Sequence, residues 1–259
     1  MQRLEGARVA LTGAAGGLGG LLADRFRAKG AQVLGIDRAV SPACDESATV
    51  DLSDMAALDS FAAALAGRRI DILVNAAGLQ YFGAIDEQGV SRIATGFAVN
   101  LVAPAILSAA LVPQMRARGA GGIVNIGSMM GAVPYPFFTA YSSAKAGLKA
   151  FSQALRREVA GSGITVTHVA PRAVNTPLNT PQIRAFMDAT RMRADRPEAI
   201  ADRIVAAIER GAGDVSIGGM ERGFSHLNAL APRLIDHGLR GQIAAARALL
   251  SPVTEGVSR

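Results

Sequence analysis

Short, nearly continuous apolar runs alternate along this chain with longer stretches in which apolar residues recur every three or four positions. The short runs fall at residues 8–12, 32–36, 48–50, 70–74, 123–126, 164–169 and 215–217. Their β-branched, unalternating character is that of strands covered on both faces. The longer stretches predict helices over 18–29, 55–65, 91–118, 141–160 and 197–210. Strands and helices in alternation build a doubly wound parallel sheet of about seven strands, with right-handed crossovers and helices on both faces. No linker interrupts the rhythm, so residues 1–259 read as one α/β domain.

Two segments leave that rhythm. Residues 175–196 carry Pro177 and Pro181 and little β character; they predict a short helical excursion above the strand ends, where α/β proteins bind ligands. Residues 220–259 form a tail with Leu227, Leu230, Leu234, Leu239, Ile243 and Leu250, broken at Pro232 and Gly238. Short helices packed against the body or a second subunit are expected there, with a lid or membrane-surface role as the other option.

Composition narrows the class. Half the residues are apolar, enough for a large core. Cys44 is the one cysteine, which excludes a disulfide framework and a thiolate cluster and fits a reducing compartment. His168, His226 and His237 stand in no metal-ligand spacing, so no metal is expected. The formal charge of +6 is scattered without a basic run, which argues against a nucleic-acid partner. Residues 1–5 hold no apolar signal core, and the apolar stretch 101–112 contains Pro104 and falls short of the ~18 residues of a spanning helix. The expectation is a cytoplasmic protein with no integral membrane segment.

The first strand runs into Thr12-Gly13-Ala14-Ala15-Gly16-Gly17-Leu18-Gly19 and then a helix. Glycines at such a junction let backbone N–H groups approach a pyrophosphate, and the helix N-terminus adds partial positive charge. Asp37 ends the next strand 18 positions after Gly19, near the offset of a carboxylate that accepts both ribose hydroxyls. It repels a 2′-phosphate, and Ala14, Ala15 and Gly16 offer no compensating cation. Arg38 is placed to pair with a phosphate, stack on adenine or face solvent. NAD(H) is preferred over NADP(H) on this reading.

Tyr141-Ser142-Ser143-Ala144-Lys145 opens a helix and sets the phenol and the ammonium one turn apart on one face. An ammonium beside a phenol favours the phenolate and suits it to exchanging a proton with a carbonyl or alcohol. Ser128, thirteen residues upstream at a strand's C-terminal end, is placed to hydrogen-bond the reacting oxygen. No G-x-S-x-G is present, so a hydrolase elbow is not supported. Asn100 sits in the apolar helical run 97–102 and needs a buried partner.

Together these residues make the chain resemble the short-chain dehydrogenase/reductase family over nearly its whole length. The family's T-G-x-x-x-G-x-G matches Thr12 to Gly19, its N-N-A-G is met by Asn75-Ala76-Ala77-Gly78, and its Asn-Ser-Tyr-Lys tetrad by Asn100, Ser128, Tyr141 and Lys145. The resemblance implies a Rossmann-type domain and hydride transfer between a nicotinamide and a secondary alcohol or ketone. Tyr141 would exchange the proton, and Ser128 would hold the substrate oxygen. Lys145 would lower the phenol's pKa and bind the nicotinamide ribose, and Asn100 would hold a water leading from Lys145 to solvent. Asp51 and Leu52 would meet the adenine; Pro171, Val174 and Thr176 would line the nicotinamide side. A homodimer or homotetramer built through the helices at 91–118 and 141–160 is also implied.

Two positions depart from the family pattern. Ala76 replaces an asparagine, and Arg172 stands where P-G-x-V-x-T has glycine. Arg172 either turns to solvent or reaches the pocket mouth to pair with an anionic substrate group. Leu79, Gln80, Tyr81, Met129, Met130, Val133, Phe137, Phe138, Leu178 and Met187 are the candidate pocket residues. Being mostly apolar, they suit an aliphatic, acyl, polyketide or steroid-like ketone. The alternatives are an NADP(H)-dependent ketoreductase, an epimerase, or a non-catalytic dinucleotide-binding regulator.

Overall fold

The computed structural model describes residues 2–250. Its strands are β1 (Arg8–Thr12), β2 (Gln32–Asp37), β3 (Glu46–Thr49), β4 (Ile72–Asn75), β5 (Gly121–Ile126), β6 (Ile164–Pro171) and β7 (Asp214–Ile217). All pair in parallel, in the order β3-β2-β1-β4-β5-β6-β7. The chain runs outward from β1 to β3, then returns to the other side of β1 for β4. That reversal opens a crevice beyond the C-terminal ends of β1 and β4, where Thr12 pairs in register with Asn75.

The helices are α1 (Gly17–Ala28), α2 (Met55–Ala66), α3 (Gly89–Phe97), α4 (Ala103–Arg118), α5 (Thr139–Glu158), α6 (Pro181–Ala189), α7 (Pro197–Glu209), α8 (Met220–Leu230), α9 (Pro232–Gly238) and α10 (Arg240–Leu250). One face of the sheet is covered by α1 and α7, with Leu22, Phe26, Ile204 and Ile208 buried against Val9, Leu11 and Val74. The other is covered by α2, α4 and α5, with Leu58, Leu107, Leu111 and Leu155 buried against Ala10, Leu73 and Ile123. Asp54 caps α2 by accepting from the amides of Ala56 and Ala57 at 3.0 and 3.1 Å. A single domain results.

Most predicted elements stand within a residue or two of their expected limits, and the exceptions have physical causes. β3 begins two residues earlier than expected; it is an edge strand with one neighbour and exposed residues, so it carries little apolar signal. The helix carrying Tyr141 starts at Thr139, so Tyr141 lies inside its first turn. The segment expected as one helix over 91–118 divides into α3, one turn of π-helix at Ala98–Val102, and α4. Pro104 falls at the start of α4, directly after the π-helical turn, and does not break the run. The helical run Gly89–Arg118 is therefore long and apolar enough by composition to cross a membrane, against the shorter stretch read from sequence. Ala103, Leu107, Leu111 and Met115 on it are fully buried beneath the sheet, which accounts for its apolarity as a core helix.

The excursion at 175–196 carries α6, capped by Thr180 with Pro181 in its first turn. The tail folds as α8, α9 and α10, separated at Pro232 and Gly238 as expected; residues 251–259 lie outside the described residues. α10 packs on α6, and Ala246 is sealed into a cluster with Phe82, Phe138, Ile183, Phe186 and Met187. Phe82, Phe138 and Phe186 form a triangle with ring centroids 5.0, 5.1 and 5.7 Å apart.

Candidate active site

A cleft of about 1140 Å³ opens over the C-terminal edge of the sheet, and its two halves differ in chemistry. The first is walled by the glycine loop. Gly13 adopts φ +73°, and a Cβ there would stand 2.7 Å from both the amide nitrogen and Cα of Ala77. A Cβ on Gly19 would collide with the carbonyl of Gly13. Only bare backbone fits this turn, which leaves N–H groups and the start of α1 facing the cleft. Thr12 does not line it. Its buried hydroxyl accepts from the amides of Ala76 and Ala77, both at 3.1 Å, and ties the end of β1 to the loop after β4.

Asp37 closes this half at the end of β2. Its carboxylate accepts from the amides of Ala15 at 3.0 Å and Arg38 at 2.7 Å, so it faces the glycine loop. Arg38 and Leu52 line the same end. Asp51 lines it too, its carboxyl held below the ordinary value by the hydroxyl and amide of Ser53. Gly17, Leu18, Ala76, Ala77 and Gly78 continue the wall toward Pro171, Val174 and Thr176. The cradle thus fits a dinucleotide: bare amides for a pyrophosphate, a carboxylate for ribose hydroxyls, and apolar walls for the rings.

Asn75, expected at the cofactor, stands buried behind the wall instead. Its amide donates to Asn125 at 2.8 Å, Asn125 donates to Ser152 at 2.8 Å, and Ser152 donates to the Leu148 carbonyl at 2.7 Å. This buried polar chain ties β4 and β5 to α5, the helix that carries Tyr141 and Lys145. Asn125 and Ser152 went unread in the sequence, because their partners lie far along the chain.

Ser128, Tyr141 and Lys145 meet at the middle of the cleft. Ser128 leaves β5 in an extended conformation, and its oxygen accepts from the Met130 amide at 3.1 Å. Lys145 is buried and donates to the Ile126 carbonyl at 2.9 Å; burial holds its ammonium down to about 8. Its Nζ lies 5.9 Å from the centre of the Tyr141 ring. Burial pushes the Tyr141 phenol above its ordinary value, and the neighbouring Ser128 hydroxyl pulls the other way. Desolvation, not the Lys145 ammonium expected to lower it, is the dominant influence on the phenol.

Asn100 sits on the π-helical turn, fully buried behind the cleft wall. Its amide nitrogen donates to the carbonyls of Leu79 at 2.7 Å and Gly96 at 2.8 Å, and its oxygen accepts from the Leu79 amide at 3.3 Å. Backbone partners satisfy it, and the water expected there is not needed for that. It fixes the loop after β4 against the helices. Gly78 separates it from Lys145: a Cβ on that glycine would meet Asn100 Oδ1 at 3.3 Å and Lys145 Nζ at 3.9 Å.

The second half of the cleft is apolar. Leu79, Met129, Met130, Val133, Phe138, Leu178 and Met187 line it as expected, with Gln80 beside them. Two expected residues do not. Tyr81 lies under the Arg92 guanidinium, 5.7 Å from its ring centre, and Phe137 packs on Phe82 with centroids 6.2 Å apart. The wall is completed by α6 and the tail: Ile183, Phe186, Leu227, Leu234 and Leu239 all face it. Leucine spacing in the tail was the only sequence signal of that cover, and it said nothing of where the tail docks. Arg172 reaches the cleft wall, partly exposed, and is engaged there by a carboxylate of the chain itself. It grips Asp195 through two nitrogens, Nε lying 2.7 Å from the carboxylate, and lowers the Asp195 carboxyl below its usual range. Asp195 also bridges Val174 through backbone bonds, so the pair pins both ends of the excursion.

Comparison with known proteins agrees with this geometry. The family model described as short chain dehydrogenase matches residues 7–185. The chain belongs to the short-chain dehydrogenase/reductase family. It is 31% identical to ketoacyl reductase HetN of Nostoc sp. over 231 residues, covering 81% of this chain and 77% of that one. It is 31% identical to dehydrogenase/reductase SDR family member 7B of Bos taurus over 258 residues, covering 89% and 79%. Among solved structures, a short-chain dehydrogenase from Sphingobium yanoikuyae in complex with NADPH superposes with a TM-score of 0.75 at 28% identity, covering 89% of this chain and 95% of that one. A 3-ketoacyl-(acyl-carrier-protein) reductase from Brucella melitensis complexed with NADH superposes with a TM-score of 0.72 at 25% identity, covering 83% and 96%. This member of the family is an oxidoreductase with a nucleotide-binding fold, acting on CH–OH groups.

Proposed function

We propose that the chain is an NAD(H)-dependent ketone reductase and alcohol dehydrogenase for apolar substrates. The observation that carries this reading is the meeting of Ser128, Tyr141 and Lys145 at the junction of a dinucleotide cradle and an apolar chamber. A bound nicotinamide supplies or accepts the hydride. The Ser128 oxygen already accepts from Met130, so its O–H is left to donate to the substrate oxygen. The Tyr141 phenol delivers a proton to a ketone or takes one from an alcohol, and the Ser128 hydroxyl beside it works against the rise that burial causes. Lys145 spends one N–H bond on Ile126 and has two more for a ribose hydroxyl and the phenol oxygen. The Asp37 carboxylate at the glycine loop favours a free 2′-hydroxyl over a 2′-phosphate.

The test is oxidation of NADH and NADPH, in parallel, with a panel of apolar ketones. Tyr141→Phe should lower kcat by about 10²–10⁴ while leaving NADH binding intact. Activity that survives the loss of the phenol would refute the assignment. Better turnover with NADPH would refute the reading of Asp37, whereas an Asp37→Ser variant that gains NADPH turnover would support it.

A further inference from the structure

The apolar half of the cleft has an electrostatic bias. From Tyr141 to the tail its wall is made by residues such as Met130, Val133, Phe186, Leu227 and Leu239. The charged side chains that line this stretch are arginines: Arg172, Arg191 and Arg193. The carboxylates that line the cleft, Asp37 and Asp51, stand at its opposite end. Arg172 is engaged by Asp195. Arg191 and Arg193 are exposed, and neither side chain makes a hydrogen bond or ion pair with a described residue.

Arg191 also sits where the backbone calls for another residue. α6 ends with the Met192 amide bonded to the Met187 carbonyl at 2.8 Å and the Arg191 amide to the Asp188 carbonyl at 3.2 Å. These two bonds close a helix with its C′ residue in the left-handed region, the position at which glycine dominates. Arg191 adopts φ +53° there, strained for a side chain with a Cβ. Strain of this kind clusters at ligand sites, and this strained residue also carries a charge and lines the cleft.

We propose that Arg191, assisted by Arg193, binds an anionic terminal group, carboxylate or phosphate, of an elongated apolar keto substrate whose carbonyl lies at Ser128 and Tyr141. This inference rests on the apolar-ketone reading and narrows its substrate class to an anionic amphiphile. The apolar wall takes the chain, and the arginines take the end that an apolar chamber alone would reject.

The experiment compares long-chain keto acids, with the carbonyl at increasing distance from the carboxylate, against their methyl esters and against matching chains ending in a phosphate monoester. At the best chain length, kcat/KM for an anionic substrate should exceed that for its ester, and added salt should erode the difference. Arg191→Gly should lower that anion-over-ester ratio about ten-fold, chiefly through KM. Arg191→Lys should retain part of the ratio, and Arg196→Ala, outside the cleft, all of it. Arg191→Gly should also raise Tm, by about 2–4 °C, as strain is relieved. The arm that loses more, carboxylate or phosphate, identifies the anion. Tyr141-dependent turnover of esters with no advantage for either anion would overturn this inference and leave the apolar-ketone reading standing. A lowered Tm with an intact ratio would overturn it too, by giving Arg191 a structural role. No turnover of any member would remove the apolar-ketone reading on which this inference rests.

Discussion

His168 lies buried on β6, its Nδ1 3.7 Å from an Asp214 carboxylate oxygen and its Nε2 without a partner among the described residues. Gly127 leaves room for the ring, since a Cβ there would collide with Nε2. Burial lowers the imidazole pKa to about 4, with Asp214 acting against it and Lys145, Lys149 and Arg156 with it. An unfolded histidine takes up its proton near ~6.5, so between those values the unfolded chain binds more protons than the folded one. The stability contributed by the neutral ring is complete above pH ~6.5 and is lost as the pH falls toward 4, by up to about 3 kcal/mol. In His168→Gln this part of the acid limb should vanish, so denaturant unfolding of the variant should depend less steeply on pH between 6.5 and 4. Parallel pH curves for the two proteins would exclude His168 as the titrating group. Residues of this kind divide sharply in how far sequence betrays them. Tyr141 and Lys145 declare themselves by a spacing of four on a helix, and the glycine loop by its place between a strand and a helix. Thr12 and Asn75 are found by the same motifs, yet they work from behind the wall. The Asp195 partner of Arg172 is 23 residues away and is set by tertiary packing alone.

At the scale of elements, the docking of α10 on α6 has the most to test. Ala246 is fully buried there in one cluster with Phe186. Ala246→Glu should strand a carboxylate in that cluster and release α10 from α6. Trypsin should then cut among the arginines at 184–196 several times faster, while dinucleotide affinity, held by the opposite half of the cleft, is unchanged. An unaltered digestion rate would show that α10 does not hold α6 down. The elements themselves were legible because apolar runs of different period mark strands and helices. The breaks at Pro232 and Gly238 were legible for the same local reasons. The docking site of the tail was not, since leucines at helical spacing fit many apolar surfaces. The π-helical turn was likewise hidden: it inserts itself within an otherwise uniform apolar run in order to turn Asn100 inward.

Across the whole molecule the parallel sheet and its reversal point follow from the order of strands and helices, and they place the cleft before any side chain is considered. The family model ends at residue 185, inside α6. What lies beyond it supplies most of the roof over the apolar half, built from α6, α8 and α9. Through the phenylalanine triangle that roof is joined to the segments on either side of the reacting centre. Where such a cover has to part before product leaves, departure rather than reaction sets the pace of turnover. Deuterium at the transferred position of the reduced dinucleotide should therefore slow a single turnover by the full isotope effect and leave steady-state kcat nearly untouched. An equal effect on both rates would place the slow step at hydride transfer.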